Sequence, residues 1–200
     1  MFPLGSVLFP GQVLPLHIFE SRYQAMLEHC LAGDREFAVV LIERGHEVGG
    51  GDVRSRIGTV ARILQAVQVT DGHWAVITIG VRRIKVESWL PDGPWPRAEV
   101  TELPDPDGDA EQDDWAGLQA HFRRVAALAA EMGVGPAELG QQIAPDPAQG
   151  SFQVAALSPL GSFDQQKVLA AGSVTARLAL LGAALGEVEA DLRAELALGD

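Results

Sequence analysis

Histidines are the side chains of this sequence best suited to acid–base or metal chemistry near neutral pH. There are five of them: His17, His29, His46, His73 and His121. They are far apart along the chain and show none of the short spacings that mark a metal-ligand motif. We therefore expect isolated histidines, no metal site and no cofactor, unless folding brings distant ones together.

Motifs for nucleotide hydrolysis and nucleophilic catalysis are missing from the sequence. No G-x-x-x-x-G-K-[ST] loop occurs, and neither lysine, Lys85 nor Lys167, follows a glycine. G-x-S-x-G and H-E-x-x-H patterns are also absent. The triple glycine at 49–51 is flanked by acidic residues and precedes no helical pattern, so it predicts a turn rather than a phosphate cradle. The sequence predicts a protein that is not an enzyme.

One group of polar residues keeps an enzymatic alternative open. His17, Glu20 and Arg22 lie close together in the sequence and could supply acid–base groups. Their site would lie in a groove between the two halves of the chain. Residues of this kind at the start of a helix more often cap or brace it, so the enzyme remains the second hypothesis.

Two tryptophans and a short basic cluster are the best candidates for contacts with another molecule. Arg82 and Arg83, with Lys85 nearby, could bind an acidic partner or form a solvated strand end. Trp89 and Trp95 lie in a proline-rich segment, where exposed aromatic side chains can anchor a peptide. The alternative is that both rings pack over the end of a sheet. We take Trp89, Trp95, Arg82 and Arg83 as candidate peptide contacts.

The charge is negative and unevenly distributed. The 200 residues carry a formal net charge of −12. Residues 1–100 hold 11 acidic and 10 basic side chains (net −1), whereas residues 101–200 hold 16 and 5 (net −11). A polyanion would be repelled overall, so nucleic acid is a poor candidate partner. No apolar run approaches the roughly 20 residues of a membrane span, so no membrane partner is expected. A single cysteine, Cys30, excludes an intramolecular disulfide and favours a cytoplasmic protein with a buried thiol.

Hydrophobic periodicity predicts a β-rich first half. Strands are expected at 13–18, 37–42, 57–69, 74–86 and 97–103, with a hairpin turn at 70–73. The continuous apolar run at 37–42 is typical of a strand buried on both faces. A change of phase along 74–86 predicts a bulge near Gly80. A helix ending at Gly33 is expected to bury one apolar face, made of Phe19, Tyr23, Met26, Leu27, Cys30 and Leu31.

The period becomes helical after an acidic, proline-containing segment. Helices are expected at 115–132 (capped by Gly133), 135–140, 152–157, 164–170 (with Asp164 as N-cap) and 174–196. The predicted fold class is therefore α+β. The predicted organisation is a β-rich subdomain at 1–103, an acidic linker at 104–114 and a helical bundle at 115–200.

The opening of the chain resembles a known family. Residues 2–11, FPLGSVLFPG, and residues 14–23, LPLHIFESRY, resemble the N-terminal domain of Lon proteases. The strand at 57–63, IGTVARI, is similar to that family's V-G-T-x-A-x-I strand, and Gly80 with Arg83 fits its next strand pair. Near the C-terminus, 166–169 and Arg177-Leu178 resemble the family's closing helices.

This resemblance implies a fold and a role. The fold would be a curved β pseudo-barrel of PUA-like type packed with one helix, followed by a helical bundle. In Lon, this domain helps to recognise and hold substrate polypeptides, especially unfolded or damaged ones. The motor and the Ser–Lys peptidase of Lon are not recognisable in these residues. The expectation is thus a stand-alone bacterial module that binds unfolded or exposed apolar polypeptide segments without catalysis, with a protease or chaperone as a further partner. An RNA-binding pseudo-barrel is the third hypothesis.

Overall fold

The β-strands and α-helices fall into two successive groups along the chain. The structure is a computed structural model that describes residues 1–45, 53–70, 72–91, 93–105, 112–133 and 142–199. The chain divides into two compact units, Met1–Pro104 (the β unit) and Asp105–Asp200 (the helical unit). In the described residues the first unit holds six strands and one helix, and the second holds four helices. This confirms the predicted α+β class.

A single six-stranded sheet and one helix form the β unit. Its elements are β1 (Phe2–Leu4), β2 (Val13–Ile18), α1 (Ser21–Ala32), β3 (Glu36–Arg44), β4 (Val53–Thr70), β5 (His73–Trp89) and β6 (Ala98–Glu102). The strand order is β1-β3-β4-β5-β2, and β6 also pairs with β5. β1 runs parallel to β3 and the other pairs are antiparallel. The long strand β5 therefore supports β2 along its first half and β6 along its second.

Strand β3 lies between two hydrophobic cores, which confirms the prediction that it is buried on both faces. Alternate side chains of a strand point to opposite sides. Phe37 and Val39 belong to the core that α1 covers, which we call the α1 core. Ala38 and Val40 belong to a second core, with Ile84 of β5. The sheet therefore has a hydrophobic core on each side of β3.

The predicted bulge lies beside Gly80. Val60 pairs with Arg82 but the next residue, Ala61, pairs with Gly80, so Val81 is the extra residue of β5. A Cβ atom at Gly80 would lie 2.2 Å from the carbonyl oxygen of Phe9. Only glycine allows the backbone to come this close. The bulge therefore agrees with the change of phase in the apolar pattern of β5. The close approach of the Phe9 backbone explains why the neighbouring residue is a glycine.

Helix α1 buries most of the expected face, and Leu31 is partly buried against the same core. Tyr23, Met26, Leu27 and Cys30 are buried. Phe19 was expected on this face, but it is 52% exposed. The helix starts only at Ser21, so Phe19 continues from the end of β2 and its direction does not follow the helical period.

The helical unit contains α2 (Gln112–Glu131), α3 (Pro147–Leu157), α4 (Ser162–Leu169) and α5 (Val174–Gly199). Helix α3 starts earlier than predicted because Asp146 caps it, accepting a hydrogen bond from the Ala148 backbone N–H at 3.1 Å, and proline follows the cap. The prediction of Asp164 as an N-cap is wrong. Gly161 takes that position, and Asp164 lies in the first turn of α4.

Three predicted segments fall wholly or largely outside the described residues. They are the triple glycine at 49–51, most of the acidic linker at 104–114, and the short helix at 135–140. Gly133, the predicted end of α2, is described and has φ +68°, the left-handed conformation typical of a glycine that ends a helix.

A fully buried arginine organises the helical unit. The side chain of Arg177, on α5, has 0% exposure, and its guanidinium donates to both carboxylate oxygens of Asp105 at 2.9 and 2.8 Å. Its Nε donates to Ser151 Oγ at 2.7 Å, and Nη2 donates to the Ala148 carbonyl at 3.0 Å. The guanidinium carbon also lies 3.7 Å from the ring centroid of Phe152. A buried charge needs such partners, so this cluster joins α5 to α3 and to the first residue of the unit.

Candidate functional site

One exposed face of the sheet carries a group of apolar side chains where β2, β5 and β4 lie side by side, and Gln65 of β4 is opposite Ile77 on it. Residues directly opposite on paired strands share a face. Pro15 pairs with Ile77, and Val67 pairs with Ala75. Val13 and Pro15 share a face because they are two residues apart in β2. We call these five residues, Val13, Pro15, Val67, Ala75 and Ile77, the apolar face.

The apolar face departs from the usual pattern of an antiparallel sheet. Val13 is 53% exposed, Val67 47% and Ile77 36%. The intervening residues on the same strands, among them Ile18 and Val76, are buried in the α1 core. A sheet with one covered face normally carries polar residues on the other. Clustered exposed aliphatic side chains typically mark a surface for another molecule.

An aromatic cluster lies at one end of this face. The imidazoles of His17 and His73 approach to 3.3 Å between Nε2 of His17 and Nδ1 of His73. The Phe19 ring is nearly parallel to that of His73, with a 22° angle and centroids 6.3 Å apart. All three side chains are exposed. The cluster adds rings that can take part in stacking to a mainly aliphatic surface.

The two candidate tryptophans have different surroundings. Trp89, at the end of β5, is 37% exposed, and the guanidinium carbon of Arg54 lies 5.0 Å from its ring centroid. Trp95 is half-buried and packs against the α1 core, with its ring 5.3 Å from that of His29. Trp89 thus keeps an accessible ring, whereas Trp95 serves packing.

The two candidate arginines also differ, because consecutive strand residues point to opposite faces. Arg83 is 4% exposed. Arg82 is partly exposed and lies between two carboxylates, with Nη1 2.7 Å from Glu36 and Nε 2.9 Å from Glu102. Arg62 contacts the same Glu36 carboxylate at 2.8 Å. Burial acts to raise the pKa of Glu36, but the hydrogen bonds and charges of the two arginines outweigh it and hold that pKa below its ordinary range.

The groups of the enzymatic alternative are not arranged as an acid–base set. Glu20 and Arg22 form an ion pair with each other at 2.9 Å, while His17 faces His73. Among the described residues, no group of three or more histidine, cysteine or acidic side chains could hold a metal ion. Burial raises the pKa of the Cys30 thiol, which suits an inert core residue. No helix in the described part of the chain is long and apolar enough to cross a membrane.

The apolar face was not among the sequence-based candidates. Its signal was present, because the run Val13–Ile18 has apolar residues at both odd and even positions. The packing of α1 then decides which set is covered.

The class of this protein is therefore a two-unit α+β protein whose β unit presents an apolar sheet face. Residues 1–185 match the ATP-dependent protease La (LON) substrate-binding domain, and the chain belongs to this family. This confirms the resemblance drawn from residues 2–23.

Solved and curated relatives agree. A crystal structure of a Lon N-terminal domain protein from Xanthomonas campestris is similar with a TM-score of 0.65 and 27% identity, covering 91% of this chain and 95% of that one. The Lon protease of Cytophaga hutchinsonii is 36% identical over 101 residues, which is 50% of this chain and 12% of that protein. The Lon protease of Anaeromyxobacter dehalogenans is 26% identical over 182 residues, 88% of this chain and 21% of that protein. This chain thus spans about a fifth or less of the length of these two proteases.

Proposed function

We propose that this chain is a non-catalytic module that binds unfolded or exposed apolar polypeptide segments through its apolar face. The observation that carries the proposal is the exposure of Val13, Val67 and Ile77 on a sheet face whose reverse side packs against the α1 core. Membership of a substrate-binding domain family supports a polypeptide as the ligand.

The chemistry of the surface suits an unfolded segment better than a folded protein. Half-exposed β-branched side chains on adjacent strands form a broad hydrophobic strip rather than a deep pocket. Such a strip contacts any extended segment that carries aliphatic or aromatic residues, with little demand on sequence. Folded proteins bury most of these residues, so binding would distinguish unfolded chains.

The residues proposed from the sequence have separate roles in this scheme. Trp89 and Arg82 present accessible side chains and are further candidate contacts. Trp95 and Arg83 are less accessible and would support the surface through packing. A protease, on the same polypeptide or as a separate partner, would act on the captured segment. The cytoplasm is the compartment we propose, in line with a lone buried thiol.

Fluorescence anisotropy with a labelled, permanently unfolded polypeptide tests this function. The variant Val13→Thr/Val67→Thr/Ile77→Thr keeps β-branched residues on the strands while making the surface more polar. Burying a whole side chain of this kind contributes about 1.5–3 kcal/mol, and each is roughly half available here. Because threonine keeps one methyl group, about half of this contribution is lost at each position, or about 1–2 kcal/mol over the three. We therefore expect the triple variant to weaken binding by about fivefold to thirtyfold.

A matched control uses exposed apolar residues of the helical unit. Phe163, Leu180 and Leu196 are 59%, 37% and 37% exposed. Changing all three to glutamine should leave the affinity unchanged. If the control weakens binding as much as the triple threonine variant, or if the wild-type chain binds no unfolded polypeptide, the proposed function is wrong.

A further inference from the structure

The pair His17 and His73 carries an inference that does not depend on the proposed function. These residues are 56 positions apart, and the antiparallel pairing of β2 with β5 brings them together. Their facing nitrogens, Nε2 and Nδ1, are 3.3 Å apart, and both side chains are exposed. We propose that they form a two-histidine site for a divalent transition metal of the Zn²⁺ class.

The distance fits shared coordination. Zinc binds imidazole nitrogens at about 2.0–2.1 Å. Two nitrogens 3.3 Å apart that each lie about 2.05 Å from one ion subtend about 107° at it, close to the tetrahedral angle that zinc adopts. For shared coordination, the two imidazoles would tilt so that both nitrogens point at a common ion.

The backbone around the pair is held in place by a neighbouring side chain. The Gln24 amide of α1 donates to the Phe19 carbonyl at 2.6 Å and also to the Gly72 carbonyl. Phe19 lies two residues after His17, and Gly72 directly precedes His73. One amide thus fixes the chain beside both ligands, and a site whose ligands are positioned before binding loses less affinity to ordering.

The ligand type sets the class of metal. Neutral imidazole suits Zn²⁺, Cu²⁺ and Ni²⁺, whereas Mg²⁺ and Ca²⁺ prefer oxygen. With two protein ligands, two tetrahedral positions would stay open to water or to an imidazole or carboxylate of another molecule. The ion would lie at the end of the apolar face, beside Phe19.

A calorimetric titration of the full metal-free chain with Zn²⁺ tests the site without any polypeptide ligand. We expect one equivalent of Zn²⁺ to bind, and His17→Thr and His73→Thr each to weaken binding by about tenfold or more, because one ligand of the pair is lost. His29→Gln, which changes another exposed histidine on α1, should bind as the wild type does.

Imidazole resonances of the wild-type chain provide a second readout that needs no variant. On addition of Zn²⁺, the shifts should concentrate on His17 and His73. The proposal is overturned if the wild type takes up no more zinc than the His17→Thr/His73→Thr double variant, if His29→Gln loses as much affinity, or if the shifts fall on other histidines.

Discussion

Asp105→Ala measures how far the helical unit depends on its buried ion pair. In the folded unit the Asp105 carboxylate accepts hydrogen bonds of 2.9 and 2.8 Å from Arg177. The Arg177 side chain is 0% exposed and that of Asp105 is 18% exposed. Removing the carboxylate leaves a positive charge without its counter-charge where water barely reaches.

The expected loss follows from this burial. Deleting one partner of a buried ion pair costs about 3–5 kcal/mol. The hydrogen bonds to Ser151 and Ala148 and the contact with Phe152 remain, so we expect about 3 kcal/mol, the lower end of that range. Domains have a free energy of unfolding of about 5–15 kcal/mol. At a denaturant dependence of about 1–2 kcal/mol per molar urea, the midpoint should fall by about 2 M.

Urea unfolding followed by circular dichroism at 222 nm reports mainly on the helices and provides the assay. Asp164→Ala is the matched control. It breaks the exposed Lys167–Asp164 pair, whose 2.7 Å distance is equally short but whose side chains are 67% and 40% exposed, and it should change stability by less than about 0.5 kcal/mol.

A double replacement separates the ion pair from the packing. Arg177→Met/Asp105→Leu removes both charges and keeps apolar volume, so it should recover most of the stability lost in Asp105→Ala. If Asp105→Ala instead loses no more than Asp164→Ala, Arg177 is solvated in practice and the reasoning from its burial is refuted.

Three further predictions concern the β unit and one glycine of α2. Because the folded pKa of Glu36 is depressed, its charge stabilises the fold above the ordinary value of 4.5 and loses this effect as pH falls through the folded pKa. Glu36→Gln should therefore lower the free energy of unfolding by about 1 kcal/mol at neutral pH. The difference from the wild type should shrink as the pH falls below 4.5 and vanish below the folded pKa, and a difference that stays constant with pH would contradict the linkage. Gly80→Ala should destabilise by about 1–3 kcal/mol because its Cβ would meet Phe9, whereas Gly117→Ala, with open space at its Cβ, should stabilise by about 0.5–1 kcal/mol in the same urea assay. The Cys30 thiol should react with an aromatic disulfide reagent about a hundredfold more slowly in the native chain than in urea, and equal rates would show that it is accessible.

Much of the fold was predictable because its signals are local. The apolar run at 37–42 requires burial on both sides, and the phase change beside Gly80 requires an extra residue, so both strand features followed from side-chain alternation. The first residues of the helices were harder to predict. Asp146 and Asp164 are equally good N-cap candidates in the sequence. Only the path of the folded chain decides that Asp146 caps α3, whereas Gly161 takes the N-cap position of α4.

The candidate site was less predictable than the fold. The sequence does not distinguish Trp89 from Trp95, but Trp95 packs against the α1 core whereas Trp89 remains 37% exposed. The apolar face was hidden for the same reason. In β2 both sets of alternate residues contain apolar side chains, and the sequence does not say which set α1 will cover.

The sequence by itself determined the family, the α+β class and the concentration of negative charge in the second half, because these depend on composition and on order along the chain. The tertiary structure decided which polar groups meet. Strand pairing places His17 beside His73, and helix packing takes Arg177 out of water and gives it Asp105 as its partner. These residues are 56 and 72 positions apart. Contacts over such separations arise from strand register and helix packing, which no short stretch of sequence encodes.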